Sequence, residues 1–318
     1  MLRKFRHRRL KTRGHRDAVV VNDVVKHAAA AVLVAWLVLG ASPSWGAQQY
    51  SVSGLVLRVD RAKQTMVVSC NAIPGYMDAM VMPFEVPDGK SLEGVEPGMA
   101  VEFRLVVGQE SSHAEDVRVR KFETAEQDPF TAHHLKTLQT LVSPSSAITE
   151  VLRVGQSVPD FKLIDQNRQP VTLGQFAGKV VAINFIYTRC ALPQFCYRLS
   201  NNFALLQKRF ADRMGRDLVL LTVSFDPEHD QPEILAAAAK TWNADSRTWH
   251  FLTGPVSDVK QVCARFGVDA WTDEGLMTHS LHTVVVNRQG KLAANLEGNQ
   301  FTGQQLGDLV DTVIKSRN

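Results

Sequence analysis

Between Tyr50 and Lys121 apolar and polar residues alternate in short runs separated by Gly, Pro and Asp, which is the two-residue period of half-buried strands. The runs "YSVSGLVLRV", "TMVVSC", "MVMPFEV", "MAVEFRLVVG" and "AEDVRVRK" predict five strands. Five short strands in such a span predict a small all-β unit, an OB-like five-stranded barrel. Pro83, inside the third run, places that strand at an edge or a bulge, because proline cannot donate to a ladder.

From Gly155 the period changes. "KVVAINFIY" (Lys179 to Tyr187) is almost continuously apolar, as a strand covered on both faces must be. Cys196, Leu199, Phe203, Leu206 and Phe210 then recur at steps of three and four, the stripe of an amphipathic helix. "DLVLLTVSF" predicts a second buried strand, and Asp230 with Pro232 opens the helix "PEILAAAAKTW". Val259, Val262, Cys263 and Phe266 mark another helical stripe, in which Cys263 is a small core residue. "HTVVVN", the turn "NRQG" and "KLAANLEG" predict a hairpin, and "FTGQQLGDLVDTVIK" a closing helix. This order predicts an α/β thioredoxin-like domain C-terminal to the barrel.

The chain of 318 residues thus reads as an export leader (1–47), a barrel (48–123), a linker (124–153) and a thioredoxin-like domain (154–318). The net charge of +4 is uneven: residues 1–47 carry nine Lys or Arg against two Asp, leaving the remainder slightly acidic. A basic leader therefore accounts for the positive sign, and nucleic acid is not an expected partner. The leader continues into "AAAAVLVAWLVLGA" (Ala28 to Ala41) and a small residue at Ala47, the layout of a cleaved signal peptide. That apolar run is shorter than the roughly 20 residues of a spanning helix. The expected location is the periplasm, or the outer face of the inner membrane if the leader is retained as an anchor. There, thiols are oxidised unless they bind metal or are actively kept reduced.

Only four cysteines occur, and two of them, Cys190 and Cys196, stand with five residues between them where the first buried strand gives way to a helix. Cys196 is expected at the helix N-terminus, where backbone N–H groups and the helix dipole favour a thiolate, with Arg189 and Arg198 acting in the same sense. Such a pair can grip a soft metal, exchange disulfides or form a structural bridge. The last is the weakest reading, because closing so short a loop adds little stability.

These residues, with "NFIYTRC…C", "VSFDPEHD" and "THS" followed by a strand and "NRQGKLAANLEG", resemble the Sco/SenC copper-chaperone family over residues 154–318. The resemblance implies a thioredoxin fold in which Cys190 and Cys196 are thiolate ligands and His279 is the third. It makes Asp226 a supporting residue. This chain has five residues between the cysteines where the family usually has three, and Tyr197 where a proline is usual. Soft sulfur favours Cu(I), and an imidazole helps accommodate Cu(II). His282, only three residues beyond His279, is the alternative imidazole.

A second soft cluster lies in the barrel. Met77, Met80 and Met82 fall within six residues and include three of the eight methionines. Met80 and Met82 share a strand face, and Cys70 ends the preceding strand. The bland reading is that methionine fills core gaps. Residues 50–121, however, resemble the CusF-like periplasmic copper- and silver-binding domain. The resemblance puts Met80 and Met82 on its Met-x-Met pair, Cys70 on its histidine ligand and Met77 on its metal-capping tryptophan.

The expected function is a copper-binding metallochaperone that delivers copper to a respiratory copper centre such as that of cytochrome c oxidase, with oxidase subunit II as the partner. Copper would enter at the barrel and pass to the second domain across a flexible linker. About 30 residues span roughly 30 Å and give an effective concentration on the order of millimolar. The alternative is a thiol-disulfide reductase that keeps the partner's cysteines reduced. A peroxidase is disfavoured, since Thr188 precedes Cys190 by two residues rather than three.

Overall fold

The computed structural model describes residues 48–109, 111–121, 151–273 and 276–316, with the backbone alone over 271–279. The predicted leader and all of the predicted linker but residues 151–153 lie outside the described residues. Among those residues no helix is long and apolar enough to cross a membrane.

All five predicted strands of the first region form: β1 (Gln48–Asp60), β2 (Thr65–Cys70), β3 (Val81–Glu85), β4 (Ala100–Val107) and β5 (Ser112–Val119). They make one antiparallel sheet in the order β3-β2-β1-β4-β5. Pro83 therefore sits on an edge strand, as its missing donor requires. Val52, Val56, Met66, Val68, Cys70, Phe84, Val101, Phe103 and Leu105 fill the inside of the curled sheet.

The second region continues with β6 (Lys162–Asp165), β7 (Pro170–Thr172), β8 (Val180–Ile186), helix α1 (Arg198–Arg209), β9 (Leu218–Ser224), α2 (Pro232–Thr241), β10 (Trp249–Thr253) and α3 (Val256–Arg265). A short hairpin, β11 (Ala270–Asp273) and β12 (Leu276–His279), leads to β13 (His282–Val286), β14 (Leu292–Glu297) and α4 (Gly303–Lys315). The seven-stranded sheet runs β14-β13-β8-β9-β10-β6-β7. Strands β8, β9 and β10 are parallel, and their neighbours on both sides are antiparallel. Helices α1, α2 and α4 cover one face and α3 the other. Cys263 is buried under α3, as its stripe predicted. β6, β7, β10 and the β11–β12 hairpin carried too short a pattern to be read from the sequence.

The barrel packs directly onto the second region. Leu55 and Leu57, on the outer face of β1, are buried among Ala294, Leu296, Leu306, Leu309 and Val310. Ser69 Oγ donates to Asp308 Oδ2 at 2.7 Å, and Gln305 Nε2 donates to Ser69 O and Asn71 Oδ1 at 3.1 and 3.2 Å. The turn before β4 also joins this seam: a Cβ at Gly98 would lie 3.1 Å from the Ala294 methyl. The arrangement of the two regions thus rests on a packed seam.

Candidate metal centre

In an open α/β sheet, ligands gather at the carboxyl ends of the parallel strands. Tyr187 to Cys190 leave that end of β8, and Phe225 to Asp230 leave that end of β9. Two buried carboxylates tie the segments together. Asp230 accepts from the Thr188 backbone N–H at 3.0 Å and from the hydroxyls of Thr188 and Ser224. Asp226 accepts from Arg189 Nη2 at 2.7 Å and bonds His229 Nδ1 at 2.8 Å. Asp226 thus braces the residue next to Cys190, which is the supporting place the resemblance implied. The sequence offered Asp230 only as a helix start and did not single out His229; the bond from Asp230 to Thr188 spans 42 residues.

Cys190 and Cys196 come together as a pair of thiols, the first half-buried and the second buried. Cys190 Sγ donates weakly to Leu192 O at 3.7 Å. A hydrogen bond to Cys190 pushes the Cys196 thiol well above the ordinary thiol range, and burial adds to it. The shift at Cys196 is therefore opposite in direction to the one expected from a helix N-terminus. The residue lies in an irregular turn (Pro193–Tyr197), with Phe195 at φ −104° and ψ −106°, and regular helix begins only at Arg198. Its side chain points into the core, where a charge is poorly solvated. The two arginines are also engaged elsewhere, Arg189 with Asp226 and Arg198 with Phe301 O at 3.4 Å.

Tyr187 touches both sulfurs. Its hydroxyl bonds Cys190 and its backbone N–H bonds Cys196, while its ring packs on Phe225 at 5.3 Å. Burial first, then the charge of the two cysteines, pushes its phenol up to about 12. The sequence showed it only as the last apolar residue of a strand.

The third expected ligand, His279, ends β12, where its backbone pairs with Ala270. Its side chain lies outside the described residues. His282 is buried in β13 with Nδ1 at 2.9 Å from Asn295 Oδ1, so its ring is committed to the sheet. Among the described residues no three His, Cys, Asp or Glu side chains converge to hold an ion. What the site offers is a pair of soft sulfurs on a loop, suited to a soft monovalent cation.

In the barrel, Val68 pairs with Met82, and the Cys70 N–H donates to Met80 O at 2.9 Å. Residues opposite each other across an antiparallel pair share a face. Cys70 and Met82 therefore stand on the inner face, and Met80 lies opposite Cys70 just before β3 begins. Met77 closes the turn with a mutual Ile73 bridge and packs against the same core. Cys70 is buried, and burial pushes its thiol up to about 12. Met80, in contrast, is 45% exposed. Tyr76, beside Met77, stacks on Tyr50 with ring centroids 4.0 Å apart.

Comparison with known proteins identifies the families the two regions resemble. Residues 49–118 match the family model of the copper binding periplasmic protein CusF. The sco1 protein of Schizosaccharomyces pombe is 25% identical over 165 residues, which are 49% of this chain and 60% of that protein. A SCO1 homologue of Bacillus subtilis is 31% identical over 97 residues, 30% of this chain and 49% of the relative. The chain thus spans about half to three fifths of the length of these relatives. A solved SCO1/SenC family lipoprotein from Bacillus anthracis is 23% identical, covering 53% of this chain and 100% of that one with a TM-score of 0.46. Residues 151–314, more than half of the sequence, match the SCO1/SenC family model, and the chain belongs to the SCO1/SenC family.

Proposed function

We propose that the protein is an exported copper-binding metallochaperone that works in the periplasm, or at the outer face of the inner membrane, and delivers copper to a respiratory copper centre. Cytochrome c oxidase is the acceptor that the family points to, through its subunit II. The observation that carries the reading is the pairing of Cys190 and Cys196 on one loop at the carboxyl ends of β8 and β9, with a second all-sulfur set in the same chain. Cys190, Cys196 and His279 form the first site. Cys70, Met77, Met80 and Met82 form the second, with Asp226 bracing the first through Arg189. Three protein ligands leave an ion exchangeable, whereas a structural zinc site usually closes with four. Thiolates and thioethers select Cu(I) over hard cations.

A second reading is favoured by one feature of the pair. One half-exposed thiol next to one buried thiol is the arrangement of a dithiol that attacks and then resolves a partner's disulfide. The same site would then act as a thiol-disulfide reductase on the cysteines of the copper acceptor.

Cu(I) counted on the reduced, leaderless chain against a competing chelator tests both. Two equivalents, falling to one in the Cys190→Ser/Cys196→Ser chain, support the chaperone. A His279→Ala change should weaken copper binding at least tenfold while leaving disulfide exchange intact. Failure to hold any Cu(I), with ready dithiol cycling, would leave the reductase.

A further inference from the structure

One short segment, Asn299 to Asp308, holds both sulfur-bearing loops. On one side Asn299 Nδ2 donates to Gln194 O, and Arg198 donates to Phe301 O at 3.4 Å, so the Cys190–Cys196 loop is fastened to the approach to α4. On the other side Gln305 and Asp308, in the first two turns of α4, bond Ser69 and Asn71, the two residues flanking Cys70. Thr302, between them, caps the helix: its Oγ1 accepts from the Gln305 N–H at 3.1 Å, and Gln305 Oε1 accepts from the Thr302 N–H at 3.0 Å. Gln305 is thus locked by its oxygen to the cap and by its nitrogen to the barrel. Asn71, Phe301 and Gln305 line a single crevice. Both segments are therefore tied to the same N-terminal end of α4.

We propose that Cu(I) passes between the barrel set and the Cys190–Cys196 pair within one chain, with residues 299–308 as the clamp that holds the two loops at a common edge. This rests on the copper reading above. The outermost sulfurs of the two sets, Met80 at 45% exposure and the half-buried Cys190, are the ones a moving ion meets first. Copper stays Cu(I) throughout, so no oxidant or reductant enters. The Cu–S bonds of the barrel set break as Cu–S bonds to Cys190 and Cys196 and a Cu–N bond to His279 form. A methionine thioether leaves without a proton, Cys70 takes up one proton when its bond to copper breaks, and Cys190 and Cys196 each release one on binding. Docking by Leu55 and Leu57 joins the two bodies within one fold, so the encounter is prepaid by folding and not by diffusion of two molecules.

The test uses the full mature chain carrying methyl-13C methionine and one equivalent of Cu(I). Methyl resonances of Met77, Met80 and Met82 report barrel occupancy, and exchange spectroscopy reports the rate at which copper leaves and returns. The expected rate is unchanged across a tenfold range of protein concentration. Gln305→Glu retains the acceptor that serves the cap and loses both donors to the barrel. It should slow the exchange at least tenfold, while each site's affinity, measured in chains whose other site carries Cys→Ser changes, stays within twofold. Asn71→Ala, which alters only the barrel side, should slow it in the same direction. A rate proportional to protein concentration, or an unchanged rate in both variants, overturns the proposal. Copper that never shifts the methionine methyls, nor binds the dithiol, would instead overturn the copper reading beneath it.

Discussion

The two sulfur sites are built in opposite ways. In the barrel, Cys70, Met80 and Met82 are set at neighbouring rungs of the β2–β3 edge, so regular backbone pairing fixes their spacing. In the second region the sulfurs stand on an irregular loop. Side chains from distant elements hold its shape: Asp230 on Thr188, Asp226 on Arg189, Asn299 on Gln194. A ladder site survives any substitution that leaves the strands paired. A loop site fails when one brace is lost, even though both cysteines remain. The contrast suits a holder of thioethers, which need no proton, and a dithiol that must change state or partner.

The largest effect should come from the seam on which both sites depend. Leu57→Ala removes a side chain buried against α4 and β14 and should cost about 3 kcal/mol, read as a shift of the denaturant midpoint. One shared transition for barrel and α/β signals is expected, and two separated transitions would break the idea of a common core. Asp230→Asn comes next. It leaves the Thr188 and Ser224 hydroxyls poorly matched in a buried setting and should cost about 2 kcal/mol. It should also weaken Cu(I) at the dithiol about tenfold and leave the barrel equivalent unchanged, since positioning groups around ligands typically matter by 10–100-fold. Equal losses at both sites would erase the distinction between ladder and loop.

Met80→Leu should act in the other direction. The side chain is nearly half exposed, so chemical denaturation should move by less than about 0.5 kcal/mol while barrel affinity for Cu(I) falls about tenfold. The smallest effect, and the control, is Asp217→Asn. Arg288, hydrogen-bonded to Asp217, holds its carboxyl at about 2 in the fold, below the ordinary 3.8. The resulting stabilisation is present above 3.8 and is lost as pH falls from there through about 2. The melting temperature of the variant should therefore lie below that of the parent near neutrality and converge with it toward pH 2. Copper stoichiometry should not change.

Much of this molecule was legible in its pattern. The five barrel strands, β8, β9, the β13–β14 hairpin and all four helices follow from period and punctuation, and the placing of Cys190 and Cys196 at a strand end follows from their order. The dithiol's braces were not legible, because Asp230 and Asn299 reach the loop from 42 and 105 residues away and no local pattern records such pairings. The position of Cys196 was misread for a local reason. The stripe predicted helix at Cys196, but the chain bends at Phe195 and turns the sulfur inward. The seam did leave a trace. A strand with one wet face should alternate, yet Gly54, Leu55, Val56 and Leu57 are all buried, which is the mark of a strand covered on both sides.

That doubly covered strand has a consequence for how β1 finds its place. In most sheets a slip of one residue is forbidden because it would turn the oily side outward. Here Val52 and Val56 serve one core while Leu55 and Leu57 serve another, so greasiness alone would accept β1 in either setting. The choice falls to shape. At Gly54, opposite Cys70, any side chain would meet Ser69 O at 2.5 Å and Cys70 Cα at 2.9 Å. The bulge between Val56 and Arg58 then shifts the phase so that Val59 returns to the barrel. A missing side chain and one extra residue thus act as the notch and key that set the alignment of the strand joining the two halves.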